Sequence, residues 1–165
     1  MSNEIQIRRA KRGDLAAIAA LVKKATRSKI KMEESDVMEW LFGKGMWVAV
    51  QGETLVGVAA CQTENLVAVT DVLYIAPAKL RTQAGKPLLA ALEAELDSLM
   101  CEVNILLLPE WTPKTMRTFL QKQGYEAKTL DDLHRIWREV LDGFDLEGRE
   151  LMVKRLRERM IMAPL

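Results

Sequence analysis

Residues 71–93 read DVLYIAPAKLRTQAGKPLLAALE, and the order of residue types in this stretch decides the architecture. Val72, Leu73, Tyr74 and Ile75 continue a Val-rich run that begins at Leu66. They predict a strand that stops at Ala76-Pro77, because proline withdraws a ladder donor. Downstream, Leu88, Leu89, Leu92, Leu96 and Leu99 recur at helical spacing. A helix is therefore predicted over Pro87–Leu99, with Pro87 in the first turn, where its missing N–H costs nothing. Between strand and helix lies a glycine-bearing loop. A helix N-terminus offers unpaired N–H groups and about half a positive charge. Leu80 to Pro87 can thus cradle a pyrophosphate, with Lys79, Arg81 and Lys86 adding side-chain charge. The same residues also fit an ordinary strand-to-helix loop.

Working outward, Ile5 and Ile7 alternate with polar neighbours as in a strand, and Asp14 is placed to cap a helix carrying Leu15, Ile18, Leu21 and Val22. The basic cluster Arg8, Arg9, Lys11, Arg12 reads as a solvated turn. A second helix is predicted over Glu34–Phe42, closed by Gly43 and Gly45. Met46–Val50 and Thr54–Cys61 flank Gln51-Gly52-Glu53, a hairpin pattern that makes them antiparallel neighbours. Val103–Leu108 is almost continuously apolar, as expected of a strand buried on both faces and stopped by Pro109. Thr112-Pro113 opens a helix that ends at Gly124. Beyond Tyr125, Leu130–Leu141 is expected to form one amphipathic helix, whose Ile136 and Trp137 broaden the apolar stripe enough to cover a cleft or mediate self-association. Glu150–Leu156 fits either a last strand or the start of a helix.

Composition narrows the function classes. The 165 residues suit one domain, and 49% hydrophobic content supplies a core. Twenty-four Lys and Arg against twenty-three Asp and Glu leave a net charge of +1, so no overall field recruits nucleic acid or anionic lipid. The basic run Lys154, Arg155, Arg157, Arg159 near Met160, Ile161 and Met162 reads as a solvated face, and 5% aromatic content further disfavours a nucleic-acid binder. The longest apolar run, Leu15 to Val22, is far short of the roughly 20 residues that span a bilayer. The polar, basic start lacks a secretory pattern, so a cytoplasmic protein is expected. Cys61 and Cys101 alone, with a single His134, argue against a disulfide framework, a metal site and a Ser-His-Asp triad.

The element order, with the strings IQIRRAKRGDLAAIAALV, MWVAVQGETLVGVAA, DVLYIAPAKLRTQAGKPLLAALE and TPKTMRTFLQKQGYEA, resembles the GCN5-related N-acetyltransferase (GNAT) superfamily from Ile5 to about Tyr125. The resemblance implies an α/β (α+β) fold: a mixed, mostly antiparallel twisted sheet flanked by helices and splayed between its fourth and fifth strands. It divides the chain into a core, 1–128, and a C-terminal extension of the same domain, 129–165. It implies acetyl-CoA as cofactor and an amine of a small molecule or protein as acceptor, whereas the expectation of a homodimer rests on the Ile136 and Trp137 stripe alone. The Q/R-x-x-G-x-G/A loop of the family corresponds to Leu80, Arg81, Thr82, Gln83, Ala84, Gly85 and Lys86, with Thr82 where Gln or Arg is usual and Pro87 in place of the last small residue. The backbone N–H of Ile75 would meet the thioester oxygen, and Asp71 is the titratable candidate for a base. The family's helix-four tyrosine and asparagine positions hold Leu120 and Pro113. Two functions therefore stand: direct acetyl transfer, or a catalytically silent domain of the same fold that binds CoA weakly or not at all and acts through protein contacts or dimerisation. Acceptor selectivity would fall to Arg27, Lys29 and Lys31 between the first two helices, whose charge favours a carboxylate or phosphate on the acceptor.

Overall fold

The computed structural model describes residues 4–157. In chain order the elements are β1 (Ile5–Arg9), α1 (Leu15–Ala25), α2 (Glu34–Gly43), β2 (Gly45–Gln51), β3 (Thr54–Glu64), β4 (Val67–Ile75), α3 (Lys86–Ser98), β5 (Val103–Pro109), α4 (Lys114–Lys122), β6 (Glu126–Lys128), α5 (Arg135–Leu141) and β7 (Arg149–Arg155). The strands form one seven-stranded sheet in the order β1-β2-β3-β4-β5-β7-β6. The β4–β5 pair is parallel, whereas β1–β2, β2–β3, β5–β7 and β6–β7 are antiparallel. The final strand, left open between two readings by its periodicity, thus lies between β5 and β6. Residues Arg159 to Met162 of the basic run lie outside the described residues.

The chain forms two compact units. One comprises the residues up to Cys61 with Val72–Leu92, the other Gln62–Asp71 with the chain from Glu93 onward. In the first unit, Leu15, Ile18, Leu21 and Val22 of α1 and Val37 of α2 bury against Met46, Val48, Val58, Ala60, Val72 and Tyr74. The helical spacing of the first set and the alternation of the second bring both to one seam. The hairpin closes as its residues dictate, with Gly52 at φ +62° and Gln51 paired to Thr54. Register shifts between Ala49 and Val50, so Val56 is an extra residue opposite them. That bulge turns Val56 away from the α1 seam to join Ala49, Leu80 and Ala84.

Asp14 does not act as the expected side-chain cap of α1. Its carboxylate instead takes a fork from Arg8 at 2.8 Å on each oxygen and the amide of Lys11 at 2.8 Å, closing a 3-10 turn over Arg12–Asp14. Of the basic cluster, Arg8 is therefore paired, and Arg9 lies 4.7 Å over the Trp47 ring.

In the second unit, Leu133, Trp137, Val140 and Leu141 pack on Val67, Val69, Val103, Ile105, Leu107, Leu151 and Val153. Two expectations are corrected here. The stretch from Leu130 to Leu141 is a 3-10 turn, Leu130–Asp132, and a shorter helix, α5. Asp132 accepts the Thr129 amide and hydroxyl at 2.9 and 3.0 Å, which closes the turn, and the His134 ring accepts the Ile136 amide at 3.2 Å, which restarts the helix. Ile136 and Trp137 are 4% and 7% exposed, so the stripe offered for self-association or cleft cover is consumed by this unit's own core. No described helix is long and apolar enough to cross a membrane, and among the described residues no group of three or more His, Cys, Asp or Glu could hold a metal ion.

Candidate functional site

The amide of Ala76 donates to Val56 O at 3.0 Å, so the end of β4 spends that residue on β3. Strand alternation then turns the Ile75 amide to the opposite edge. The parallel ladder pairs only Val67–Thr70 with Val103–Leu106, and Ile75 lies five residues beyond its last rung. The side chain of Ile75 joins Ala49, Val56, Leu80 and Ala84, while Tyr74 turns into the α1 core at 8% exposure. The two neighbours thus face opposite sides of the strand.

After Pro77, in extended backbone, the chain does not open into a loop but winds at once. The Leu80 amide donates to Pro77 O at 3.0 Å in a 3-10 turn over Ala78–Leu80, a wide π turn follows over Arg81–Gly85, and α3 starts at Lys86. The wide turn has a cause in Pro87. A proline inside a helix removes one rung and its ring presses on the preceding turn, and a π turn loosens the winding at that place. The expected glycine-bearing loop is therefore a helical entrance of changing pitch. Gly57 lets it lie close to the sheet, since a Cβ there would stand 3.2 Å from both Ala49 Cβ and Leu88 Cδ2.

Of the residues singled out here, Leu80, Ala84 and Gly85 are buried, while Thr82, Gln83 and Lys86 face solvent. Arg81 is half-buried, and burial lowers its guanidinium below the ordinary arginine value. Its side chain has no hydrogen bond or ion pair among the described residues. A cation that gives up water without gaining a partner is a ready counter-charge for an anion.

Asp71 lies in the second unit, where its backbone is tied to β7. The Arg149 Nη1 donates to Leu107 O at 2.8 Å and to Asp71 O at 3.4 Å. These two carbonyls belong to the residues just past the last rung of the β4–β5 ladder. One guanidinium thus stands in for the next rung and satisfies both strands as the ladder ends.

Sequence reasoning missed a buried polar chain in the same unit. Thr70 Oγ1 donates to Asn104 Oδ1 at 2.8 Å, Asn104 Nδ2 to Tyr125 Oη at 2.8 Å, Tyr125 Oη to Glu93 Oε2 at 3.0 Å, and Lys154 Nζ to Glu93 Oε1 at 2.6 Å. Asn104, an amide inside the apolar run VNILLLP, is the signal that points to it. Tyr125 sits at the middle of this chain, accepting from one partner and donating to the next. Leu120, at the helix-four position, is fully buried, and with Tyr74 in the core neither phenol is free to meet a leaving thiolate.

No protein-family model matches the chain, and no curated protein matches it in sequence. Solved structures do match in fold. A GNAT-family acetyltransferase from Staphylococcus aureus Mu50 superimposes with a TM-score of 0.75 at 14% identity, over 93% of this chain and 99% of its own. The PaiA N-acetyltransferase of Thermoplasma acidophilum, crystallised in complex with coenzyme A, gives 0.71 at 16% identity, over 92% and 99%. The ribosomal-protein-S18-alanine N-acetyltransferase of Escherichia coli gives 0.70 at 16% identity, over 94% and 96%.

Proposed function

From its GNAT acetyltransferase fold, shown by these superpositions, we propose that the chain binds acetyl-CoA and transfers the acetyl group directly to an amine of a small molecule or a protein. The observation that carries this reading is Arg81, half-buried and without a hydrogen bond or ion pair among the described residues, on the wide turn that leads into α3. Acetyl-CoA supplies a thioester whose acyl carbon an amine can attack, forming a C–N bond as the C–S bond breaks. Arg81 holds the diphosphate, with Thr82, Gln83 and Lys86 on the solvent side of the same turn and Leu80, Ala84 and Gly85 as its packed support. The Ile75 amide, outside the ladder, donates to the thioester oxygen as charge gathers there. Asp71 accepts the amine's proton, directly or through water. With Leu120 in place of a phenol, the thiolate departs to solvent.

A second reading, a silent domain that works through protein contacts, is favoured by one observation: Leu120, Tyr74 and Tyr125 leave no free phenol. Calorimetric titration with acetyl-CoA and CoA separates the two. Saturable binding that Arg81→Glu abolishes supports the transferase, and Asp71→Asn should then slow CoA release against an amine panel. No binding by the folded protein overturns it in favour of the silent domain.

A further inference from the structure

A groove of about 480 Å³ lies along β6, the turn after it and the start of β7, within the second unit. That volume suits a small molecule. Its lining includes two cations, Lys128 and Arg149, and two anions, Asp132 and Glu150. All four are at least partly engaged, three of them as follows. Glu150 pairs with Arg117, Lys128 lies 3.5 Å from Glu126, and Asp132 uses Oδ2 on Thr129.

Glu150 keeps Oε1, but its charge is already met by Arg117; two further charged edges remain. Arg149 spends Nη1 on the carbonyls of Leu107 and Asp71, so its Nη2 and Nε donate to nothing among the described residues. Those two carbonyls fix the guanidinium, and a fixed fork matches a carboxylate in geometry. Asp132 Oδ1 is the second edge, an acceptor without a donor among the described residues. Leu130 and Leu146 add apolar wall, Leu130 with 41% of its surface exposed.

We propose that this groove binds a free α-amino acid with an aliphatic side chain: carboxylate on Arg149, ammonium on Asp132, side chain against Leu130 and Leu146. The balance of charge selects the zwitterion. A phosphate would meet two carboxylates, and a neutral ligand would leave the Arg149 fork bare. The site needs no CoA, so it stands or falls apart from acetyl transfer.

The test is a titration of the protein with L-leucine in the absence of CoA, followed by calorimetry and amide chemical shifts. Saturable binding is expected, with shifts at residues 127–132 and 146–151. Leucinamide, without the carboxylate, and N-acetyl-leucine, without the ammonium, should each bind about tenfold more weakly or worse. Arg149→Gln should weaken leucine by a similar factor. Because that change also releases two backbone carbonyls, Leu130→Arg serves as a second variant, filling the groove while leaving Arg149 on its carbonyls. Absence of leucine binding by folded wild type, equal binding of leucinamide, or binding untouched by Leu130→Arg would overturn the proposal.

Discussion

Replacing Tyr125 by Phe removes one oxygen from the middle of the buried polar chain, and the structure sets the size of the effect. The phenol donates to Glu93 Oε2 at 3.0 Å and accepts from Asn104 Nδ2 at 2.8 Å. Glu93 keeps Lys154 at 2.6 Å, so loss of the bond to the carboxylate falls at the low end for a charged acceptor, about 1.5 kcal/mol. Asn104 is fully buried, and its amide would be left without an acceptor at a cost of about 1 to 3 kcal/mol. Phenylalanine fills the same volume and recovers a little by having no hydroxyl to desolvate. The expected net loss is about 2 to 4 kcal/mol, which for a chain of this length lowers the melting temperature by roughly 6 to 12 °C. Urea unfolding of wild type and variant measures the difference in free energy. A cycle with Thr70→Val, which touches Asn104 from the other side, should show coupling of about 0.5 kcal/mol or more. A loss below about 0.5 kcal/mol for Tyr125→Phe, with no coupling, would refute the claim that these partners satisfy one another.

Three further outcomes follow from the same structure. Arg8, with the Lys11 amide, holds the Asp14 carboxyl below the usual carboxylate range. A depressed carboxylate stabilises the fold above its unfolded pKa, and that stability is lost as pH falls through the folded value. Because Arg8 is 37% exposed, Asp14→Asn should cost only about 1 to 2 kcal/mol at neutral pH, and the gap to wild type should close in acid, as read by urea midpoints across pH. Gly124 holds φ +97°, and a Cβ there would stand 3.2 Å from Lys154 Cε, so Gly124→Ala should destabilise by about 1 to 3 kcal/mol in the same assay. Cys61 and Cys101 are 5% and 1% exposed, and burial pushes the Cys101 thiol up; neither should react with a disulfide reagent at neutral pH until denaturant unfolds the chain.

Hydrophobic period carried most of the fold because it registers burial directly. The α1 positions Leu15, Ile18, Leu21 and Val22 and the buried run of β5 behave as their spacing demands. Where burial is absent the period is silent: β6 is three exposed residues, Glu126–Lys128, and it forms because β7 offers an edge. Where side chains bond locally the period misleads. The apolar spacing from Leu130 to Leu141 runs straight through a break made by Thr129, Asp132 and His134. For the candidate site, Arg81 was readable as charge in a glycine-bearing loop, but its lack of a partner among the described residues is a property of the folded chain. Arg149 was invisible, since it reaches carbonyls at Asp71 and Leu107, 78 and 42 residues away.

The place of β7 between β5 and β6 also bears on synthesis from the ribosome. β5 is buried on both faces and has its free edge closed only by residues 149–155. A nascent chain that has emerged only as far as β6 therefore presents an apolar strand with open backbone groups, a template for pairing with another chain. Completion of the sheet waits for residues 149–155. Truncation before Arg149 should thus give aggregation rather than a smaller soluble domain, and a molecular chaperone should be needed over that interval.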